Sequence, residues 1–215
     1  MMVRDVERSS SRLRQVGIKP AKKLRTKIDI TMFQPAYMGK AEALMWKRYY
    51  ERRYLGLFMT MFGCGRHVGY SPSLSIKLGF FAAQAARLFQ ASRSAEEAHR
   101  ALPPLERYYD LIAIGAPSTF CSREVALTEL GWWQARRENK PPSEYGIRIA
   151  CVASLVYGVA IDKVALAGIR RAQAMEYRDR HEMEQSDWAV VENKLIESYS
   201  ILKSSLRADD NENKA

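Results

Sequence analysis

Cys64 and His67 stand three residues apart, the spacing of one half of a zinc site, but no second Cys/His pair supplies the remaining ligands. His181 precedes Glu182, yet the second histidine of a zinc-protease helix is missing, and Glu182 with Glu184 reads as a solvated helix face. His99 lies in a charged stretch and has no partner in sequence. There is no glycine-rich phosphate loop and no Gly-x-Ser-x-Gly elbow. The paired aromatics Tyr49/Tyr50, Tyr108/Tyr109 and Trp132/Trp133 offer faces on which unpaired bases stack. Adjacent aromatics on a helix more often straddle a core and its rim, so these are read as core. The expectation is a chain that is not an enzyme and carries neither a metal nor a cofactor.

What the residues do offer is charge. Residues 1–53 hold 14 Lys/Arg and 5 Asp/Glu, whereas residues 54–215 hold 20 and 19. One quarter of the chain thus carries nearly all of the net +10, and positive charge segregated in this way marks a polyanion-binding face. The competing reading is a basic arm attached to an unrelated domain. A hydrophobic content of 47% over 215 residues provides for one elaborated domain with a real core. Three scattered cysteines, Cys64, Cys121 and Cys151, do not make a disulfide scaffold and suit a reducing compartment. The longest nearly apolar run, residues 149–161, spans 13 residues, short of the ~20 that cross a bilayer. The N-terminal residues lack the apolar core of a secretion signal. The expected location is the cytoplasm, in association with the nucleoid and without membrane contact.

These charges have to be positioned by elements that the pattern defines. Residues 1–21 are polar, broken by Gly17 and Pro20, and read as a flexible basic arm. From Leu24 to Met32 the residues alternate: Leu24, Thr26, Ile28, Ile30 and Met32 on one face, Lys23, Arg25, Lys27, Asp29 and Thr31 on the other. Strict period-two alternation with β-branched residues predicts a half-buried strand, ended by Pro35. Everything afterwards reads as helix. Met38, Ala41, Met45 and Tyr49 repeat at helical spacing; a turn at Gly63-Cys64-Gly65-Arg66 and a cap at Ser71-Pro72-Ser73 precede a helix packed through Leu74, Leu78, Phe81, Ala85 and Leu88. Ser94 with Glu97 forms a capping box, and Pro103-Pro104 breaks what it opens. Helices follow at about 104–114 and 123–138, stopped by Asn139-Lys140-Pro141-Pro142. Two more fill 146–175 with a bend at Gly158 or Gly168, and Ser186 caps a last one through Leu206. The polar, acidic residues 208–215 read as a disordered tail.

A lone strand cannot satisfy its own backbone donors and acceptors. The economical solution is a homodimer in which each chain gives one strand to an antiparallel ribbon, and such a ribbon fits the major groove of duplex DNA. Basic alternating strand, helix, glycine-containing turn and a helix opening on serine is the order of ribbon-helix-helix DNA-binding proteins. The stretch Leu24-Arg25-Thr26-Lys27-Ile28-Asp29-Ile30 at the head of a helical chain of this size also resembles the AcaB-like transcriptional activators of conjugative plasmids and integrative elements. The resemblance implies a mainly α fold with one short N-terminal strand. Residues 22–92 would be the ribbon-helix-helix core with an insertion, and 93–207 a helical extension. It further implies base reading by Arg25, Lys27, Asp29 and Thr31, with phosphate contacts from Lys22, Lys23, Arg66, Ser71 and Ser73. The function it implies is sequence-specific binding of double-stranded DNA as a transcriptional regulator, an activator of transfer genes that contacts RNA polymerase or another regulator. The alternative is a non-catalytic helical accessory protein of plasmid transfer or maintenance, whose basic arm binds without sequence preference.

Overall fold

Prolines and short polar residues punctuate this chain, and the helices begin where they stand. The computed structural model describes residues 28–212. After a 3-10 turn at Ile30–Met32 come α1 (Pro35–Tyr50), α2 (Tyr54–His67), α3 (Pro72–Ala91) and a single turn α4 (Ala95–Ala98). A second 3-10 turn at His99–Ala101 leads into α5 (Leu102–Ile112), followed by α6 (Ser122–Arg137), α7 (Pro142–Tyr157), α8 (Ile161–Arg180) and α9 (Gln185–Glu212). Pro35, Pro72, Pro103 and Pro142 all lie in the first turn of a helix, where a missing N–H costs nothing. Ser71 Oγ accepts from the Leu74 N–H, and Ser94 Oγ from the Glu97 N–H while the Glu97 carboxylate takes the Arg93 N–H. Gly158 ends α7 in the left-handed conformation at φ 71°, which a residue without Cβ adopts freely.

Setting α4 aside, each helix packs on the next in chain order and α9 packs back on α1, so eight helices close into a ring. Neighbours run antiparallel. Along the closing seam, Lys47 bonds Gln185, Gly39 meets Ile196, and Lys203 donates to the Thr31 carbonyl. The tightest seam is α7 on α8. A Cβ at Gly168 would stand 2.8 Å from the Ala150 backbone nitrogen, so the two helices touch through backbone. One end of the ring, here called the near end, carries residues 28–34 and the 68–71, 113–121 and 158–160 connections; the far end carries 51–53, 92–101, 138–141 and 181–184.

The expected strand does not form in the described part of its range. Among the described residues there is no strand at all, and the ribbon-helix-helix core with its intersubunit ribbon is therefore corrected to a closed helical ring. The reason is local. Asp29 Oδ1 accepts both the backbone N–H of Thr31 at 2.9 Å and its hydroxyl at 2.7 Å, which curls the chain into the 3-10 turn. Alternation is lost with it: Ile30 is buried, but Met32, assigned to the same face, is 66% exposed. The donors that seemed to need a partner strand are met within the chain, Asp29 N–H by the Val68 carbonyl and Ile30 N–H by that of Gly115. Residues 24–27 of the expected strand lie outside the described residues.

Two smaller expectations change as well, and one is narrowed. Gly63-Cys64-Gly65-Arg66 lies inside α2 and not in a turn; of the two bend positions, Gly158 is the one that separates α7 from α8, while Gly168 lies inside α8. Helix α9 starts one residue before Ser186 and continues to Glu212, into the stretch read as tail.

Candidate functional site

The expected DNA-reading residues separate into two groups. Lys22, Lys23, Arg25 and Lys27 lie outside the described residues. Asp29 and Thr31 are bonded to each other and form the 3-10 turn that plugs the near end. Arg66 is exposed at that same end and donates to the Tyr70 carbonyl, while Ser71 serves as the α3 cap with Ser73 Oγ 3.1 Å away. His67 accepts the Gln34 N–H through Nε2 and stacks on Tyr37 with centroids 4.0 Å apart, and burial lowers its pKa. Cys64 turns toward the interior, where burial and then Glu42 push its thiol up to about 12.

The most developed feature is inside the ring. A chamber of about 470 Å³ runs along its axis, and each of the eight ring helices lines it. Helical repeats supply the inward stripes: Met38, Glu42, Met45 and Tyr49 from α1, Glu129, Trp132, Trp133 and Arg136 from α6, and Ala167, Arg171, Met175 and Arg178 from α8. Ile30 and Phe33 close the near end, Phe33 meeting Tyr199 edge-on at 5.7 Å.

Two carboxylates lie within this apolar wall, and each is fully engaged. Glu42, its side chain 2% exposed, receives Arg171 Nε and Nη2 on Oε1 at 2.7 Å each, and the Tyr199 hydroxyl on Oε2 at 2.7 Å. Glu129 accepts the Tyr109 hydroxyl at 3.1 Å and the indole N–H groups of Trp132 and Trp133 at 2.8 and 3.0 Å. Arg171 lies between them, its guanidinium 5.5 Å from the Trp132 ring centroid. Burial works against the Arg171 charge, but Glu42, Tyr199 and Glu129 outweigh it and hold the pKa above its ordinary value.

At the far end two more arginines reach the chamber. Arg136 makes a two-pronged pair with Asp179 at 2.7 and 3.0 Å and donates to the Tyr50 hydroxyl at 2.7 Å. Arg178 stacks over the Tyr50 ring at 3.2 Å and shares Asp179 through Nη1 at 3.0 Å, while its Nε is buried with no acceptor. Deeper in, Tyr108 and Tyr157 are half-buried, and burial raises both phenol pKa values. Both line the chamber, and neither hydroxyl has a hydrogen-bond partner among the described residues.

Reasoning from sequence passed over this site, although two signals were there. Glu129 precedes two tryptophans by three and four residues, which puts both indoles within reach of one carboxylate on the same helix face. Glu42 is a single acid within Gly39–Met45 next to Ala41 and Ala43, a position that calls for a buried cation. No protein-family model, curated protein or solved structure matches the chain.

Proposed function

We propose that this chain is a non-catalytic DNA-binding protein of the accessory or regulatory kind, which grips duplex phosphate through its basic N-terminal segment and uses the helical ring as the body that carries it. The observation behind this reading is the segregation of charge. Residues 1–27 hold nine Lys/Arg and two Asp/Glu, and they join the ring at Ile28, next to the near-end plug and on the side where Arg66 is exposed. Neutralising phosphates is the main source of sequence-independent affinity for duplex DNA. Loss of the strand favours this arm-type binding over groove reading, because Asp29 and Thr31 are spent on the turn.

The test is a salt titration of duplex binding with the full-length chain and with the Lys22→Ala/Lys23→Ala/Arg25→Ala/Lys27→Ala variant. The variant is expected to bind specific and random duplexes more weakly to the same degree. The slope of log K against log salt is expected to fall by about 0.9 for each phosphate contact removed. An unchanged slope would place the DNA-binding surface elsewhere. A loss confined to one duplex sequence would restore base reading by this segment.

A further inference from the structure

The chamber holds an asymmetry that the DNA reading does not use. Its two carboxylates are well supplied with donors: Glu42 takes two hydrogen bonds and a further guanidinium contact, and Glu129 takes three hydrogen bonds. Its donors are less well served. Arg136 and Arg178 share one carboxylate, Asp179, and Arg178 Nε is buried without an acceptor. The hydroxyls of Tyr108 and Tyr157 look into the same space without partners among the described residues. A donor left unmade away from water is costly, so the unmet demand in this cavity is for acceptor oxygen. Elsewhere the wall is aromatic rings, methionines and small aliphatic side chains. The volume of about 470 Å³ falls in the range of small-molecule sites. Along α8 the lining runs from Ala167 to Arg178, 11 residues and hence about 16 Å.

We propose that the chamber is a binding site for an amphipathic organic anion, whose carboxylate or sulfonate sits at Arg136 and Arg178 and whose apolar body lies along the aromatic and methionine wall toward Phe33. A guanidinium pair short of one carboxylate fits a single anionic head, and the apolar interior fits a chain or fused ring of about 16 Å or less. A cationic ligand is disfavoured by the same bonds, because both carboxylates are already saturated and Arg171 stands between them. The site is independent of the nucleic-acid reading, since none of its residues belongs to the basic segment.

Three ten-carbon probes decide it: decanoate, 1-decanol and decyltrimethylammonium, each titrated calorimetrically into the full-length protein below its micelle concentration. Tryptophan fluorescence is followed in parallel, because Trp46, Trp132 and Trp133 line the chamber. Decanoate is expected to bind at one per chain, to change the tryptophan emission, and to bind at least tenfold more tightly than the other two. Arg178→Gln is expected to reduce the preference for decanoate over decanol about tenfold. Ala86→Trp, which fills the chamber from α3, is expected to abolish binding of all three; Ala153→Phe replaces it if circular dichroism shows the first variant unfolded. Tighter binding of the cation, or a preference for decanoate that Arg178→Gln leaves intact, would overturn the anionic class. Binding by none of the probes, or binding that a folded filling variant leaves unchanged, would overturn the site.

Discussion

Replacing Glu42 by glutamine tests whether the interior pair organises the ring. The amide keeps the shape and removes the charge, leaving Arg171, a half-buried cation, with its nearest counter-charge gone. Two hydrogen bonds of 2.7 Å, from Arg171 Nε and the Tyr199 hydroxyl, and an ion-pair contact from Arg171 Nη2 converge on this carboxylate, whose side chain is 2% exposed, so solvent screens little of its charge. Removing one partner of such a pair costs about 3–5 kcal/mol, and in a chain of this size each kcal/mol moves the melting temperature by about 2–4 °C, so the expected fall is roughly 6–20 °C. The matched double variant Glu42→Met/Arg171→Met removes both charges and is expected to lie within about 1 kcal/mol of the parent, because a buried pair exchanged for apolar side chains is often neutral or better. Urea unfolding followed by circular dichroism gives both numbers. The reasoning fails if the single variant costs less than about 1 kcal/mol, or if the double variant costs the sum of the two single ones.

Other expectations follow from the same structure. Gly168→Ala is expected to destabilise by about 1–3 kcal/mol despite alanine's better helix propensity, since its Cβ meets Ala150 backbone at 2.8 Å; a melting curve at or above the parent's would show that α7 and α8 can part. Asp29→Ala is expected to cost about 0.5–2 kcal/mol through the lost turn cap and to leave duplex sequence preference unchanged; a changed preference would return Asp29 to base reading. With its thiol pushed up to about 12, Cys64 has a thiolate fraction of about 10⁻⁴ at pH 8. Alkylation at Cys64 is therefore expected to be far slower than at the exposed Cys121 and to rise about tenfold per pH unit, as peptide mass mapping after timed labelling would record.

Sequence legibility in this chain followed the range of the interaction. Signals that act within four residues were readable. Ser71 caps α3, Ser94 and Glu97 form their box, and Asn139-Lys140-Pro141-Pro142 separates α6 from α7. The α1 repeat of Met38, Ala41, Met45 and Tyr49 identified a helix, but not that three of the four face a cavity. The strand expectation failed at short range too, because Ile28, Ile30 and Met32 alternate perfectly while Asp29, counted only as an outward polar residue, bonds two atoms of Thr31 and sets the backbone. The site was the least visible part. Glu42 and Arg171 are 129 positions apart, and Glu42 and Tyr199 are 157 apart, so nothing in a local window relates them. Only the closure of the ring does.

That closure also fixes an order of events during synthesis. A chain made from its N-terminus exposes α1 before the other described helices, yet the helix that seals one flank of α1 is the last of them to be made. Until α9 arrives, the Gly39 face has no cover and Glu42 has neither Arg171 nor Tyr199 to meet its charge. The intermediate is an open horseshoe with an apolar inner wall, a species of the kind that aggregates at cellular concentrations. Closure of the ring is therefore expected to wait on α9, with a rate set by the long loop that α9 must close. Nascent chains stalled before residue 185 would depend on chaperones, whereas chains that include α9 would not.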